Sequence, residues 1–219
     1  MIRLDIFSDP ICPWCYIGKA NLDRALETHA EHPFEIEWHP FQLNPDMAPE
    51  GADRRSYLEA RFGGKQNAVA IYARVSEAAE AAGVSINFET MNRVPNTLDA
   101  HRLIHWARLE GRQTAMVSTL FRAYFRDGKD IGDKATLAAL AGDAGMDAAL
   151  AARLLATESD RADISARDAP SRSRGVNSVP TFVIANQYVL TGAQPATLWG
   201  QVIDELTATQ PDAAKSAVH

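Results

Sequence analysis

Two cysteines three positions apart have the clearest potential for chemistry in this chain. Cys12 and Cys15 enclose Pro13 and Trp14, and the 219 residues contain no other cysteine. Such a pair can exchange electrons with a disulfide, supply half of a zinc site, or lie buried without chemistry at the start of a helix. Pro13 and Trp14 suit an anion-stabilising turn better than a packing position, which favours redox chemistry.

A metal site is the weaker interpretation of the cysteine pair. Zinc would require two further ligands, and no second cysteine pair exists. His101 and His105 are one turn apart on a predicted helix, but they are far from the motif in sequence. We therefore expect no metal.

A strand that leads directly into a helix must position the pair. Apolar residues alternate with polar ones over 2–8, and they recur at helical spacing from 17 to 30, after the motif. Cys12 thus lies at a helix N-terminus, where unpaired N–H groups and the helix dipole stabilise an anion. We expect Cys12 to be accessible and to attack as a thiolate, and Cys15 to be shielded and to resolve the mixed disulfide.

The remaining pattern predicts an α/β protein. Strands are expected over 34–41, 181–185 and 188–190, the last two as a hairpin, with a final helix over 195–207. From about 44 to 175 no clear strand is expected, and Asp133 and Asp147 are candidate N-caps. Helices are predicted there over 54–62, 66–82, 98–110, 113–127, 134–143, 148–155 and 159–172.

This order of elements predicts two structural units. A small domain should be formed by 1–45 and 176–219, with an inserted all-helical domain over 46–175. The tail from Thr209 has little apolar content and is expected to fray.

A second motif, Ser178-Val179-Pro180-Thr181, immediately precedes the predicted hairpin. The strand, the C-x-x-C pair at a helix start and a distant Val-Pro-Thr before a hairpin together resemble the thioredoxin superfamily. The run from Ser8 to Lys19, the large helical insertion, and the runs 96–103 and 175–182 resemble the DsbA family, specifically its FrnE-like branch. The resemblance extends over nearly the whole chain. It implies a thioredoxin-like fold with a large helical insertion, and thiol-disulfide oxidoreductase activity.

The resemblance also implies a substrate groove around the cysteines. Pro180 is expected to be cis and to pack against the active-site sulfurs, and Val179 to offer its backbone N–H and C=O to an extended substrate. From the sequence alone, an ordinary trans proline would be the commoner state. Pro13 and Trp14, between the cysteines, are expected to contact substrate as well.

Asn96 and His101 are further candidates for substrate binding. They lie at the start of a predicted helix, and the resemblance suggests that this start faces the cleft. The alternative is a helix N-cap and a partly buried polar side chain. The sequence leaves both interpretations open.

Relatives with the same fold supply the main alternative function. Glutathione-dependent 2-hydroxychromene-2-carboxylate isomerases and kappa-class glutathione transferases share the helical insertion, but they typically have serine where this chain has Cys12. A serine hydroxyl can orient the glutathione sulfur but cannot exchange disulfides, so two cysteines favour redox activity. A non-catalytic module that holds an extended peptide is the other alternative. We expect no bound cofactor, with glutathione a candidate co-substrate.

The composition limits partners and location. Charges are scattered, with 28 acidic and 22 basic residues, and there is no basic run to bind nucleic acid or an anionic membrane. No apolar stretch approaches the roughly 18 residues of a spanning helix, and the first ten residues do not resemble a signal peptide. We expect a cytoplasmic protein whose partners are a thiol- or disulfide-containing protein or small molecule and a cellular thiol reductant or oxidant. The direction of electron flow and the oligomeric state stay open.

Overall fold

A computed structural model describes residues 1–173 and 176–209, with the side chains of 168–173 outside the description. The tail that was expected to fray lies outside the described residues beyond Thr209. Strands in the described residues are β1 (Ile2–Ser8), β2 (Phe34–Pro40), β3 (Ala52–Asp53), β4 (Arg93–Val94), β5 (Thr181–Ile184) and β6 (Tyr188–Thr191).

One sheet of four strands, in the order β2-β1-β5-β6, forms the centre of the α/β part. β1 runs parallel to β2 and antiparallel to β5, which forms a hairpin with β6. The central position of β1 explains its apolar alternation, because Leu4 and Ile6 are fully buried. The end of β1 therefore fixes where the C-x-x-C motif begins.

The helices predicted after β2 are present, and all of them lie within two residues of their expected bounds except the one predicted over 113–127. The first helix, α1 (Pro13–Thr28), follows the motif, and Asp133 and Asp147 cap two later helices by accepting the N–H of Thr136 at 2.7 Å and of Leu150 at 2.9 Å. In the described residues, no helix combines the length and the apolar character needed to cross a membrane. The α-helices that follow α1 are α2 (Arg54–Phe62), α3 (Lys65–Ala81), α4 (Leu98–Leu109), α5 (Gln113–Phe121), α6 (Lys134–Asp143), α7 (Ala148–Leu155), α8 (Arg161–Ser173) and α9 (Ala196–Thr209).

Two details differ from the sequence-based expectation. The segment expected to lack strands contains β3 and β4, which pair antiparallel, Ala52 with Val94. A strand of two residues is too short to show an alternating pattern, so neither strand was predictable from the sequence. The helix predicted over 113–127 ends as α5 at Phe121 and continues as a π-helical turn, Arg122–Arg126, in which the Asp127 N–H donates to the Arg122 carbonyl at 3.1 Å.

A continuous hydrophobic core joins the sheet to the helices between β2 and β5. Trp199 of α9 packs edge-on against Phe182 of β5, with ring centroids 4.8 Å apart. The same core includes Leu4 of β1 together with Met116 and Phe121 of α5. The division into 1–45 with 176–219 and an inserted domain over 46–175 stays a prediction.

Candidate active site

The C-x-x-C motif is placed at the junction between β1 and α1. Cys12 is the N-cap of α1 with an extended backbone (φ −84°, ψ 115°), and its carbonyl accepts the N–H groups of Cys15 at 3.1 Å and Tyr16 at 3.2 Å. Pro13 is the first helical residue, where the missing N–H interrupts no helical hydrogen bond. Both cysteines are free thiols.

Cys15 lies one turn further into the protein and is 1% exposed. Burial raises the pKa of the Cys15 thiol well above its usual range, and contact with Cys12 raises it further. Hydrogen bonds from the Ser8 side chain and the Asp9 backbone act in the opposite direction with smaller effect. This placement agrees with the expectation that Cys15 is shielded.

Cys12 is more enclosed than the sequence suggested. Its side chain is 4% exposed, so the prediction of an accessible Cys12 is wrong for this structure. The reason is a long-range contact: the Cys12 thiol faces the carbonyl of Val179, with the sulfur 3.7 Å from the oxygen. Cys12 nevertheless borders a cleft, from which a reactant could approach it.

The loop before β5 packs directly on the motif. The Val179–Pro180 peptide bond is cis, as the resemblance implies. Pro180 also lies close to α1. A methyl group placed on Gly18 of that helix would be 3.1 Å from Cγ of the proline ring. The Thr181 hydroxyl donates to the Ser178 carbonyl at 2.7 Å and tightens the loop.

The cleft beside Cys12 has a volume of about 680 Å³. Pro13, Trp14 and Val179 line it, so the structure brings these three predicted binding residues together with Cys12. Trp14 is 36% exposed, at the rim. Residues of α2 and α3 also line the cleft. Nothing in the sequence pattern indicated that those helices are part of the site.

Asn96 does not line this cleft. Its side-chain oxygen accepts the N–H of Leu98 at 2.9 Å, and its amide donates to the Met47 carbonyl at 2.6 Å. The first bond satisfies a backbone N–H at the start of α4, whose N-cap residue is Thr97, and the second ties Asn96 to the segment after β2. The geometry therefore corresponds to the capping alternative for Asn96.

His101 does not line the cleft either, and it is buried behind the motif. Its Nε2 lies 4.0 Å from Oδ1 of Asp9, a fully buried residue. The Asp9 carboxylate accepts the N–H of Ile11 at 3.2 Å and of Leu43 at 2.7 Å. Asp9 thus fixes the turn that carries Cys12. This role was not predicted, although an aspartate before a proline at the end of a strand is a turn signal.

A cluster on β1 and β2 contains residue types that can bind a metal ion. Ligand atoms of Asp5, Glu37 and His39 lie within 4.8 Å of one another. However, the Arg3 side chain pairs with Asp5 at 2.7 Å, and that of Arg108 with Glu37 at 2.9 Å. A cation would have to compete with both guanidinium groups, so the cluster fits an ion-pair network better than a metal site.

Comparison with known proteins identifies the family. Residues 3–203 match the model of the DSBA-like thioredoxin domain. The chain belongs to this family. The resemblance to the DsbA family and its FrnE-like branch is therefore confirmed, and so is the α/β thioredoxin-like fold with its helical insertion.

Similar proteins cover almost the whole chain. The probable DsbA oxidoreductase SCO1869 from Streptomyces coelicolor is 29% identical, with a TM-score of 0.85 over 97% of this chain and 92% of that one. The uncharacterized protein YwbO of Bacillus subtilis (strain 168) is 27% identical over 206 residues, which are 93% of this chain and 96% of that one. The cytosolic disulfide reductase DsbM from Pseudomonas aeruginosa, solved with GSH, shares the fold at 18% identity, with a TM-score of 0.68 over 94% and 99% of the two chains.

Proposed function

We propose that this chain is a thiol-disulfide oxidoreductase in which Cys12 attacks a substrate disulfide and Cys15 resolves the product. The observation that carries the proposal is the placement of the two thiols. Cys12 caps the start of α1 at the edge of the cleft, and Cys15 lies buried one turn deeper. The first sulfur, which must attack as a thiolate, belongs to the N-cap residue of α1, at the positive end of the helix dipole.

The reaction exchanges two electrons. The Cys12 thiolate attacks one sulfur of a disulfide, forms a mixed disulfide and releases the first substrate thiolate. Cys15 then loses its proton and attacks the Cys12 sulfur, which releases the second substrate thiolate and leaves a Cys12–Cys15 disulfide. The two protons of the protein thiols end on the two released thiols. The same steps in reverse oxidise a dithiol.

Three residues around Cys12 are proposed to hold the substrate. Val179 presents backbone groups beside the reacting sulfur, which suits hydrogen bonding to an extended substrate. Pro13 and Trp14 border the cleft next to the same sulfur. Because Asn96 and His101 do not line this cleft, we do not assign them a binding role.

The two alternative functions make less use of these features. An isomerase that only orients a glutathione sulfur needs no second thiol, whereas Cys15 is placed in contact with Cys12. A peptide-binding module needs neither thiol. Both alternatives therefore leave the paired cysteines unexplained.

The partners proposed for the redox cycle are a disulfide- or thiol-containing substrate and a cellular thiol. Glutathione is the candidate co-substrate, supported by the shared fold with DsbM solved with GSH. We propose a cytoplasmic location, supported by the lone cysteine pair, since cytosolic thiols are kept reduced.

The proposal predicts opposite results for the two cysteine variants. Cys12→Ser should abolish disulfide exchange, because a hydroxyl does not attack disulfides. Cys15→Ser should instead accumulate a mixed disulfide with substrate, because Cys12 still attacks and no thiol remains to release the adduct. Intact-mass measurement after incubation with a model disulfide distinguishes the two, and the adduct should disappear when reductant is added.

Wild-type protein provides the control in the same redox buffer. If it shows no exchange but isomerises an aromatic pyruvate-type substrate with glutathione, the isomerase function replaces this proposal. If Cys12→Ser retains the biological role, the peptide-binding module is favoured.

A further inference from the structure

The cleft beside Cys12 has a strongly apolar wall. Phe62, Phe88, Phe125 and Met91 line it. Its volume of about 680 Å³ lies within the range of roughly 300–1,000 Å³ that is typical of small-ligand pockets. An extended polypeptide held through the backbone of Val179 would not need a recess of this kind, whereas a compact hydrophobic group would fill it.

The charges that border the cleft are all positive. Arg54, Arg61 and Arg74 line it, and no aspartate or glutamate does. In the described part of the chain, none of these three guanidinium groups lies within ion-pairing distance of a carboxylate. The protein as a whole carries a net charge of −6, so the positive charge at the cleft is opposite in sign to the net charge of the chain. Such a site attracts an anion.

Arg54 is held in place by its neighbours in the cleft wall. Its Nη1 donates to the Tyr72 hydroxyl at 2.5 Å. Its guanidinium also lies over the rings of Tyr72 and Phe88, 5.0 Å and 5.5 Å from their centroids. These contacts restrict its rotamers without neutralising its charge, so less ordering is required when it binds a carboxylate.

We propose that the substrate of this site is a small disulfide with a hydrophobic or aromatic body and a carboxylate group. This inference rests on the proposed function and specifies its substrate class. The hydrophobic body occupies the apolar wall, the carboxylate pairs with the arginines, and the disulfide meets Cys12. A polar peptide such as glutathione disulfide has the negative charge but nothing to fill the apolar wall.

The chemistry is the exchange already described, and the carboxylate is unchanged by it. Two electrons pass from the Cys12–Cys15 dithiol to the substrate disulfide, which leaves as two thiols. A cellular thiol reductant then restores the dithiol. A single turnover with pre-reduced protein tests the substrate preference without that reductant.

The experiment compares three disulfides: dithiobis(nitrobenzoate), which is aromatic and anionic, dithiodipyridine, which is aromatic and neutral, and glutathione disulfide, which is anionic and polar. Each rate with pre-reduced protein is divided by the rate of a free thiol with the same disulfide, which removes intrinsic reactivity. Wild type should give its highest normalised rate with dithiobis(nitrobenzoate). Replacing Arg54, Arg61 and Arg74 together with Gln should lower that rate about tenfold and change the dithiodipyridine rate less than twofold.

Arg55→Gln is the matched control, because Arg55 neighbours Arg54 on α2 but pairs with Glu59 and does not line the cleft. It should leave all three rates unchanged. If the triple variant is unstable, a double variant with Gln at the exposed positions Arg61 and Arg74 replaces it. In that variant the rate with dithiobis(nitrobenzoate) should fall about threefold. Equal losses with the charged and neutral aromatic disulfides, or no loss with either, would overturn the anion-binding role. A normalised glutathione disulfide rate as high as that of dithiobis(nitrobenzoate) would overturn the hydrophobic requirement, whereas a wild type inert to all three would refute the proposed function itself.

Discussion

The two thiols of the motif have different neighbours. Cys12 meets the Val179 carbonyl and the cleft, whereas Cys15 meets Ser8, the Asp9 backbone and Cys12 itself. Keeping Cys15 protonated prevents it from competing with Cys12 for an incoming disulfide. It must lose its proton only after Cys12 has formed the mixed disulfide, when it becomes the attacking group.

The raised pKa of Cys15 predicts a pH-dependent loss of stability in the reduced protein. The folded state holds the Cys15 proton more tightly than the unfolded chain, so this stabilisation is fully present below the unfolded pKa of about 8.5 and is lost as pH rises above it. At pH 9.5 the loss should be about 1.4 kcal/mol relative to pH 7.5. Denaturant unfolding of reduced wild type and of Cys15→Ala measures it.

The variant isolates the contribution of this thiol, because every other titrating group is shared with wild type. The stability difference between wild type and Cys15→Ala should therefore shrink as pH rises. A constant difference between pH 7.5 and 9.5 would contradict the raised pKa.

At the scale of elements, α1 approaches the cis-proline loop closely because Gly18 has no side chain. A methyl group there would lie 3.1 Å from Pro180 Cγ and 3.3 Å from the Ala193 Cα. Both neighbours have little freedom to move, since Pro180 is buried and the second contact is with backbone. The close approach of helix and loop keeps Val179 beside Cys12.

Gly18→Ala should destabilise the protein even though alanine favours helices. The crowding typically costs about 1–3 kcal/mol, which exceeds the helix-propensity gain of up to about 1 kcal/mol. We expect a net loss of about 1 kcal/mol in the free energy of unfolding, measured by denaturant titration, together with slower disulfide exchange. Gly142→Ala in α6 is the control, because its methyl would make only an ordinary contact, 3.4 Å from Ala148. The stability of that variant should be unchanged or slightly higher than that of wild type. A Gly18→Ala variant more stable than wild type would contradict the prediction, because it would show that the Pro180 loop moves to accommodate the methyl group.

The elements were predictable from sequence where their signals are local. Helix periodicity and the caps at Asp133 and Asp147 located most helix bounds within two residues, and alternation located the strands of the central sheet. The paired strands at 52–53 and 93–94 were missed because two residues show no period. The enclosure of Cys12 was missed because Val179, 167 positions away in sequence, creates it.

At the scale of the whole molecule, the cleft combines surfaces that no local pattern connects. The motif and the Val179 loop supply one wall, and α2 and α3 supply the other with Arg54, Arg61 and Arg74. The sequence identified the reactive pair because C-x-x-C before a helix is a chemical signal in itself. It did not identify the arginines, since scattered arginines on amphipathic helices are normal until the fold brings them together.

A buried arginine connects helices of the segment between β2 and β5 through ionic and hydrogen bonds. Arg102 of α4 is fully buried, pairs with Asp99 at 2.8 Å, and donates to the carbonyls of Leu154, Thr157 and Ser159 at 2.7–2.9 Å. The carbonyls belong to the end of α7 and the loop that leads to α8. Removing the guanidinium would leave these oxygens without their donor.

Arg102→Met tests whether the molecule unfolds as one unit. Breaking a buried pair of this kind typically costs about 3–5 kcal/mol, so we expect a loss of about 3 kcal/mol. Because one core contains residues of the sheet and of the helices, hydrogen exchange should report the same loss for the slowest amides of β1 and of α4. Arg153→Met on the exposed face of α7 should change neither. A loss confined to α4 would mean that the helical segment unfolds separately from the sheet, as an independent inserted domain would.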